Sequence, residues 1–375
     1  MPRSMALAKG ARITGGVFCL LFFFYVVYWL VVDLSEFGPA DLLGSWFGEN
    51  PFGRNQVTNP FHVGLAVVQL AACWTAFAGK RVAGGLLAVA TTFTFVTVLQ
   101  AMVGTGSTTD MTHFFRIPVE VDAPTFRDVF FSTLVLVPLA FLAGLVLLCG
   151  NRSWPRARPS EPPMRPTRSG GAVAGVILGA LALAFAAWNL YVLVQGELSN
   201  LGFLYAGLDR GLGSLLDVTQ GAFSVVLFVL CAVAALCGLT RSSAARGLAM
   251  GLAMLLLPYS LIQLIAMINA GVLFDFPEPM PGLAILGHIE VFLGVFGSVT
   301  LLFLMGRGEP VAPGWQPPAQ LPTYTAPGFA PPGPQGPPPA GWQQTGPPMP
   351  PHGSPMPPPP GNPPPPQGGF GPPQY

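Results

Sequence analysis

The stretch GGVFCLLFFFYVVYWLVV, residues 15–32, contains no charged side chain and is long enough to cross a lipid bilayer as a single helix. Comparable apolar runs recur along the chain, at 61–79, 82–103, 128–149, 171–195, 217–239, 247–271 and 283–305. Because backbone amides and carbonyls cannot stay unpaired in lipid, each run is expected to be an α-helix. The sequence therefore predicts an all-α integral membrane protein with eight transmembrane helices in a lipid bilayer.

The composition of the 375-residue chain agrees with this fold class. Hydrophobic residues make up 51% of it and charged residues only 9%, against about 25% charged residues in soluble domains. The net charge of +1 gives no basic excess of the kind that attracts nucleic acid, so we expect no nucleic-acid partner. All five cysteines lie inside apolar runs, which predicts free thiols and no disulfide framework.

The basic residues are concentrated in alternate connecting segments. Thirteen of the 17 fall in five segments, which are 1–14, 80–81, 150–170, 240–246 and 306–375. The exceptions are Arg54, Arg116, Arg127 and Arg210. By the positive-inside rule the five segments are cytoplasmic, so both termini are predicted in the cytoplasm. Arginine far exceeds lysine, as is typical of proteins from GC-rich bacteria, and we expect a multi-pass protein of the bacterial plasma membrane.

The order of spans and connections repeats once along the chain. It predicts two four-helix halves, 15–149 and 171–305, preceded by the N-terminal segment 1–14 and joined by the Arg- and Pro-rich linker 150–170. Each half contains an even number of spans, so the repeat is parallel and its pseudo-axis should run along the membrane normal.

The first outer connection of each half mixes aromatic, aliphatic and acidic residues. These connections are 34–47 and 198–216. Such a composition fits an amphipathic segment lying on the outer leaflet. It fits equally a cap packed over the helix bundle, and the sequence does not decide between the two.

The segment 306–375 differs in composition from the rest of the chain. It holds most of the 43 prolines and, after Arg307, no lysine or arginine. Such a segment cannot bury enough apolar surface to offset its ordering entropy, so we expect a disordered tail with polyproline II stretches. Its prolines and spaced aromatic residues predict binding of cytoplasmic proteins through 309–375.

A few polar residues within the apolar runs are candidates for function. Glu290 lies inside the last run, and an ionisable residue in a span is by default a functional hypothesis. His288 is two residues away, on nearly the opposite face of the helix. Gln100 and Gln263 lie at similar depths in the third and seventh spans. They are predicted to bond neighbouring helices or, alternatively, to line a substrate path.

Small residues at four-residue spacing open the fifth run. They are Gly171, Gly175 and Gly179, a pattern that lets two helices approach closely. This pattern has two interpretations. The glycines pack within the bundle, or they form a dimer face, which implies a homo-oligomer.

The sequence contains no motif typical of a known reaction. A phosphate-binding loop, a nucleophile elbow and metal-ligand spacing among the four histidines are all lacking, so no catalytic, cofactor or metal residue is predicted. We therefore expect a non-enzymatic scaffold or interaction component of the cell envelope that acts through its tail. The alternative is a transporter, a channel or the membrane subunit of one, with a path enclosed between the two halves. Close packing of Leu, Val and Phe between the halves would argue against that path.

Overall fold

The computed structural model describes residues 5–47, 56–106, 124–153, 164–195, 202–206, 214–273 and 281–310. The tail beyond Pro310, for which disorder and partner binding are predicted, lies outside these residues, and so do residues 154–163 of the linker 150–170.

Eight helices in the described residues are long and apolar enough to cross a membrane. Seven of them are α1 Lys9–Trp46, α2 Pro60–Phe77, α3 Ala83–Gly106, α4 Pro124–Cys149, α5 Arg168–Gln195, α6 Gln220–Leu239 and α7 Ala245–Asn269. The last span consists of α8 Pro281–Phe292, a π-helical turn Leu293–Gly297 and α9 Ser298–Gly306. The prediction of eight apolar helices is confirmed.

The outer surface of this bundle is strongly apolar. Trp74, Leu148 and Leu183 are 72%, 73% and 72% exposed, and many other large apolar side chains on the spans are also exposed. Soluble monomers do not leave so much apolar surface in water. The eight helices and their exposed apolar side chains indicate a multi-pass membrane protein.

Two short antiparallel sheets, which the sequence did not predict, lie at one end of the bundle. Strand β1 (Met5–Leu7) pairs with β2 (Asn151–Ser153), and β3 (Met164–Arg165) pairs with β4 (Glu309–Pro310). This end, called the strand end below, also holds the α2–α3 and α6–α7 turns. The opposite end, with 56–59 and 214–219, is called the loop end.

The helices form two similar rings of contacts. In residues 5–153, α1 packs on α2, α2 on α3, α3 on α4, and α4 back on α1. In residues 164–310, α5 packs on α6, α6 on α7, α7 on α8 and α9, and the last span back on α5. The two rings meet mainly where α2 and α3 contact α7.

The contact between the two halves of the bundle is closely packed. A Cβ added at Gly64 in α2 would overlap the carbonyl oxygen of Leu255 in α7, and one added at Gly85 in α3 would overlap the backbone of Gly247. Three aromatic rings, from Phe61, Phe93 and Phe223, contact one another beside these glycines. At these points, apolar side chains and backbone occupy the contact between the halves, where a transport path was considered.

The glycine stripe of α5 faces α6 for part of its length. A Cβ at Gly171 would lie 2.8 Å from the carbonyl oxygen of Gly238, and one at Gly175 would lie 2.6 Å from the Leu239 side chain. Nothing described lies within 4 Å of a Cβ at Gly179. The first two glycines therefore sit at a helix contact inside the bundle, whereas the third faces open space.

The first outer connection is helical over most of its length. Residues 34–46 continue α1 beyond a break at Gly38, whose φ of 76° suits glycine, and Pro39 then begins the second part. Leu42 is only 4% exposed, and Ser45 accepts a hydrogen bond from Gln56. The segment thus contacts the bundle through the buried Leu42 side chain and through the hydrogen bond of Ser45.

A fully buried carboxylate organises the loop end. Asp33 of α1 accepts hydrogen bonds from the backbone N–H of Val57 (3.1 Å), from that of Thr58 (2.7 Å) and from the Thr58 hydroxyl. The segment so held bonds in parallel to the other half, since the Leu215 and Leu216 amides donate to the Gln56 and Val57 carbonyls. Asp33 is thus a buried carboxylate at the end of the first apolar run, in addition to Glu290 in the last one.

Candidate functional site

A cavity of about 340 Å³ lies within the second half, between α5, α6, α7 and α8. Its apolar wall includes the aromatic rings of Phe185, Phe223 and Tyr259. Its polar lining residues are Gln220, Tyr259, Ser260, Gln263, His288 and Glu290. Two of the residues singled out from sequence, Gln263 and Glu290, are therefore brought together.

The helix ends place this cavity towards the loop end. Gln220 is the first residue of α6, whose start is capped by the Thr219 hydroxyl accepting from the Ala222 N–H. Met267 is close to the C-terminal end of α7, and Ala284 is close to the start of α8. These three residues border the cavity from three different helices. The cavity therefore extends from residues near the helix ends to mid-span residues.

The Glu290 carboxyl is the one acidic group among the residues that line the cavity. Its Oε1 atom is buried and has no hydrogen-bond partner among the described residues. No lysine or arginine is among the lining residues. A buried carboxylate oxygen without a donor is costly, so this atom is suited to a partner that the chain itself does not supply.

The imidazole of His288 is held by the backbone. Its Nδ1 lies 2.5 Å from the Ala284 carbonyl oxygen, and its Nε2 lies 3.2 Å from that of Val272. His288 borders the cavity together with Glu290, although two residues of separation predicted opposite faces. A neutral imidazole carries one N–H, so one of these two contacts is a hydrogen bond to a carbonyl oxygen, and it fixes the ring against the backbone.

The described residues contain no group of three or more His, Cys, Asp or Glu side chains that would hold a metal ion. His62 is buried in the other half, where its Nδ1 accepts from the Asn59 N–H and completes the cap of α2. His113 lies outside the described residues.

A π-helical turn follows directly on the Glu290 segment. Leu293–Gly297 brings Gly294 against α7, where a Cβ would overlap the Ser260 side chain. Ser260 also lines the cavity. Such π turns are rare and are often found at functional sites, because they shift the side chains of one helix relative to its neighbours.

Gln100 lies outside the cavity. Its Nε2 donates to the carbonyl oxygen of Tyr205 at 3.0 Å, and the Tyr205 hydroxyl donates to Asn189 at 2.8 Å. Burial raises the pKa of the Tyr205 hydroxyl. Asn189 in turn donates to Ser224 at 2.6 Å. The Gln100 amide therefore links α3 to the second half, and it is not among the residues that border the cavity lined by Gln263.

The described part of the second outer connection packs against the helices. Besides Gln100, the Thr219 hydroxyl donates to the Tyr205 carbonyl oxygen, and a Cβ at Gly221 would lie 2.7 Å from the Leu204 carbonyl oxygen. Residues 202–206 thus pack over the bundle, which is one of the two interpretations left open for 198–216.

A second polar cluster holds residues 307–310, called the tail root below, at the strand end. The Arg241 guanidinium donates to the Glu309 carboxylate at 2.6 Å and to the Pro166 carbonyl oxygen at 3.3 Å. Arg246, which is 8% exposed, donates to the carbonyl oxygens of Met305 and Gly306 and so caps the end of α9. The start of the tail is therefore bonded to the second half.

Sequence reasoning missed Asp33, Gln220, Tyr259 and Ser260. For Asp33 the available signal was an acid at the outer end of a run that had otherwise excluded charge. Tyr259 and Ser260 follow directly on Pro258, a residue type that kinks helices, inside the apolar run 247–271. Gln220 had no distinguishing local signal.

No protein-family model, curated protein sequence or solved structure matches this chain. The candidate site therefore has to be judged on its own geometry.

Proposed function

We propose that this chain is a non-enzymatic membrane scaffold that presents its proline-rich tail to cytoplasmic partners at the bacterial plasma membrane. The observation that carries the proposal is the tail root. It is bonded to the helix bundle through the Arg241–Glu309 ion pair and the pairing of β3 with β4. A tail that leaves a bonded point is held at a defined distance from the membrane, which raises its effective concentration for partners there.

The orientation with both termini in the cytoplasm is part of the same proposal. Among the described lysines and arginines, Arg127 is the exception to a common location at the strand end. The first strand, both ends of the linker and the tail root lie at that end as well. The positive-inside rule then favours a cytoplasmic strand end.

Thiol labelling of intact cells tests this orientation. We expect a Glu36→Cys variant to react with a membrane-impermeant maleimide, because Glu36 is exposed beyond the first apolar run. Arg152→Cys, exposed in β2, should react only after the cells are permeabilised. The wild-type protein gives the background from its native cysteines. The opposite labelling pattern would show that the protein has the reverse membrane orientation, with the tail outside the cell.

We also propose that the two halves are a parallel duplication. Each half begins with a short strand, ends with a short strand that pairs with it, and encloses a ring of four spans. The segments before α2 and α6 further bond to each other in parallel at the loop end. Equivalent elements in equivalent places support a repeat whose axis runs along the membrane normal.

Deleting residues 311–375 tests the scaffold. The deletion starts after Pro310 so that Glu309 keeps its bond to Arg241 and the bundle is left intact. In-cell crosslinking followed by mass spectrometry should then lose most of the cytoplasmic partners captured by the full-length protein. A chain carrying a Gly/Ser segment of equal length in place of 311–375 is the matched control, and it should lose the same partners. An unchanged set of crosslinked partners in both variants would remove the basis of the proposal.

The alternative function, a transporter, a channel or the membrane subunit of one, is favoured by the cavity at Glu290 and Gln263. Because the contact between the halves is filled, a path would have to run through the second half alone. Its entrance would be the loop end, where Gln220 and Ala284 border the cavity.

A further inference from the structure

The cavity of the second half has the size of a small-molecule site. Its volume of about 340 Å³ is at the lower end of the usual range for ligand pockets, about 300–1,000 Å³. Like such pockets, it combines a largely apolar wall with a few convergent polar groups. A ligand of modest size, with one polar end, would match it.

The charges of the residues that line the cavity favour one sign of charge on the ligand. The Glu290 carboxyl has a buried Oε1 without a partner, and no lysine or arginine borders the cavity. The one basic lining residue, His288, has its ring nitrogens at the carbonyl oxygens of Ala284 and Val272. An anion would meet this carboxylate with no compensating charge. A cation would supply the donor or positive charge that the Oε1 atom lacks.

The aromatic wall selects the kind of cation. Phe223 and Tyr259 form an edge-to-face pair with ring centroids 5.5 Å apart, and Phe223 packs on Phe61 of the filled interface, at 5.3 Å. This part of the wall is therefore aromatic and packs on the contact between the halves. Inorganic cations require several oxygen ligands to replace their water, whereas organic ammonium ions are stabilised by aromatic faces.

We propose that the cavity is a binding site for a small organic ammonium ion, with the Glu290 carboxylate as its counter-ion. The rings of Phe185, Phe223 and Tyr259 surround the body of the ligand. The side-chain amides of Gln220 and Gln263 accept or donate hydrogen bonds at its polar edges. The ligand enters from the loop end. This inference does not depend on the tail or its partners.

Binding of benzyltrimethylammonium to the full-length protein in lipid nanodiscs, measured by isothermal titration calorimetry, tests the proposal. The wild-type protein should bind this cation, and Glu290→Gln should weaken the affinity at least tenfold. Glu36→Gln, which removes an exposed carboxylate outside the cavity, is the matched control and should bind like the wild type. Benzyl alcohol, a neutral aromatic probe, should not displace the cation.

A second pair of variants tests whether the ligand occupies this cavity, by filling the cavity with a larger side chain. A Cβ at Gly287 meets nothing within 4 Å, and Gly287 borders the cavity, so Gly287→Leu should fill the cavity without disturbing the fold. Binding of benzyltrimethylammonium should then be lost. Gly179→Leu, equally free of neighbours but not bordering the cavity, should leave it unchanged. The proposal is overturned if the wild-type protein does not bind the cation, if Glu290→Gln and Gly287→Leu both bind it normally, or if benzyl alcohol displaces it.

Discussion

Replacing Gly64 with leucine is expected to abolish the folded, monodisperse protein. Gly64 of α2 lies directly against α7, where even a methyl group would overlap the carbonyl oxygen of Leu255. A side-chain clash can be relieved by a change of rotamer, but a clash with backbone can be relieved only by moving a helix. Overpacking of a well-packed core costs about 1–3 kcal/mol, and the backbone overlap places Gly64→Leu at the upper end or beyond.

The matched control for this variant is Gly144→Leu in α4. A Cβ at Gly144 has no neighbour within 4 Å, and leucine has a higher helix propensity than glycine. Size-exclusion chromatography and the thermal unfolding midpoint of the detergent-purified proteins give the comparison. Gly64→Leu should aggregate or unfold far below the wild type, whereas Gly144→Leu should behave like the wild type. Equal midpoints for the two variants would mean that α2 and α7 do not meet as described.

This result would also bear on the transport alternative. The close approach of α2 to α7 at Gly64, and of α3 to α7 at Gly85, leaves the two halves in backbone contact. A path between them would need these helices to separate. A strongly destabilised Gly64→Leu protein would therefore support the filled interface and direct attention to the second half.

The eight spans could be predicted from sequence because lipid imposes a simple rule. A run such as 15–32 has to satisfy its backbone internally, and a helix is the structure that does so within one segment. The boundaries of α2, α3 and α6 differ from the predicted runs by only a few residues. The composition of the run is sufficient to predict the helix, since no contact outside the run is needed to explain why the helix forms.

The strands and the extension of α1 could not be predicted in this way. Strands β3 and β4 are two residues long, and their residues are far apart in the chain, so neither carries a periodic signal. The pair Gly38–Pro39 is typical of a turn, yet the helix resumes after it because Pro39 suits the first turn of a helix. Both features depend on tertiary packing.

The candidate site was predicted in part. The depth of a residue in a span follows from sequence, and Gln100, Gln263 and Glu290 were singled out on that basis. Which neighbour a residue faces depends on how the helices are rotated and arranged. Gln263 and Glu290 share a cavity, while Gln100 bonds to Tyr205. The partners of a polar residue in a bundle are thus the part that sequence alone left open.

Removing the carboxylate of Asp33 should produce the second large effect. Asp33→Ala leaves three donors without an acceptor, namely the N–H groups of Val57 and Thr58 and the Thr58 hydroxyl. All three are buried, and each buried donor left unsatisfied costs about 1–3 kcal/mol. We therefore expect Asp33→Ala to lower the free energy of unfolding by about 3 kcal/mol or more. Asp33→Asn keeps one acceptor oxygen and should fall between Asp33→Ala and the wild type.

Asp33→Ala should first loosen the backbone at the loop end. Both halves should be affected there, because the segment held by Asp33 also bonds to the second half. The Val57 carbonyl accepts from Leu216, and the Asn59 side chain donates to Asp217 at 2.7 Å. Hydrogen exchange measured by mass spectrometry should therefore show faster exchange at 56–59 and at 214–217 in Asp33→Ala. Glu36→Ala, one helical turn away and exposed, is the control and should change neither the exchange nor the thermal midpoint. If the Asp33→Ala protein exchanged like the wild type in both segments, the carboxylate would not be what joins the two halves at the loop end.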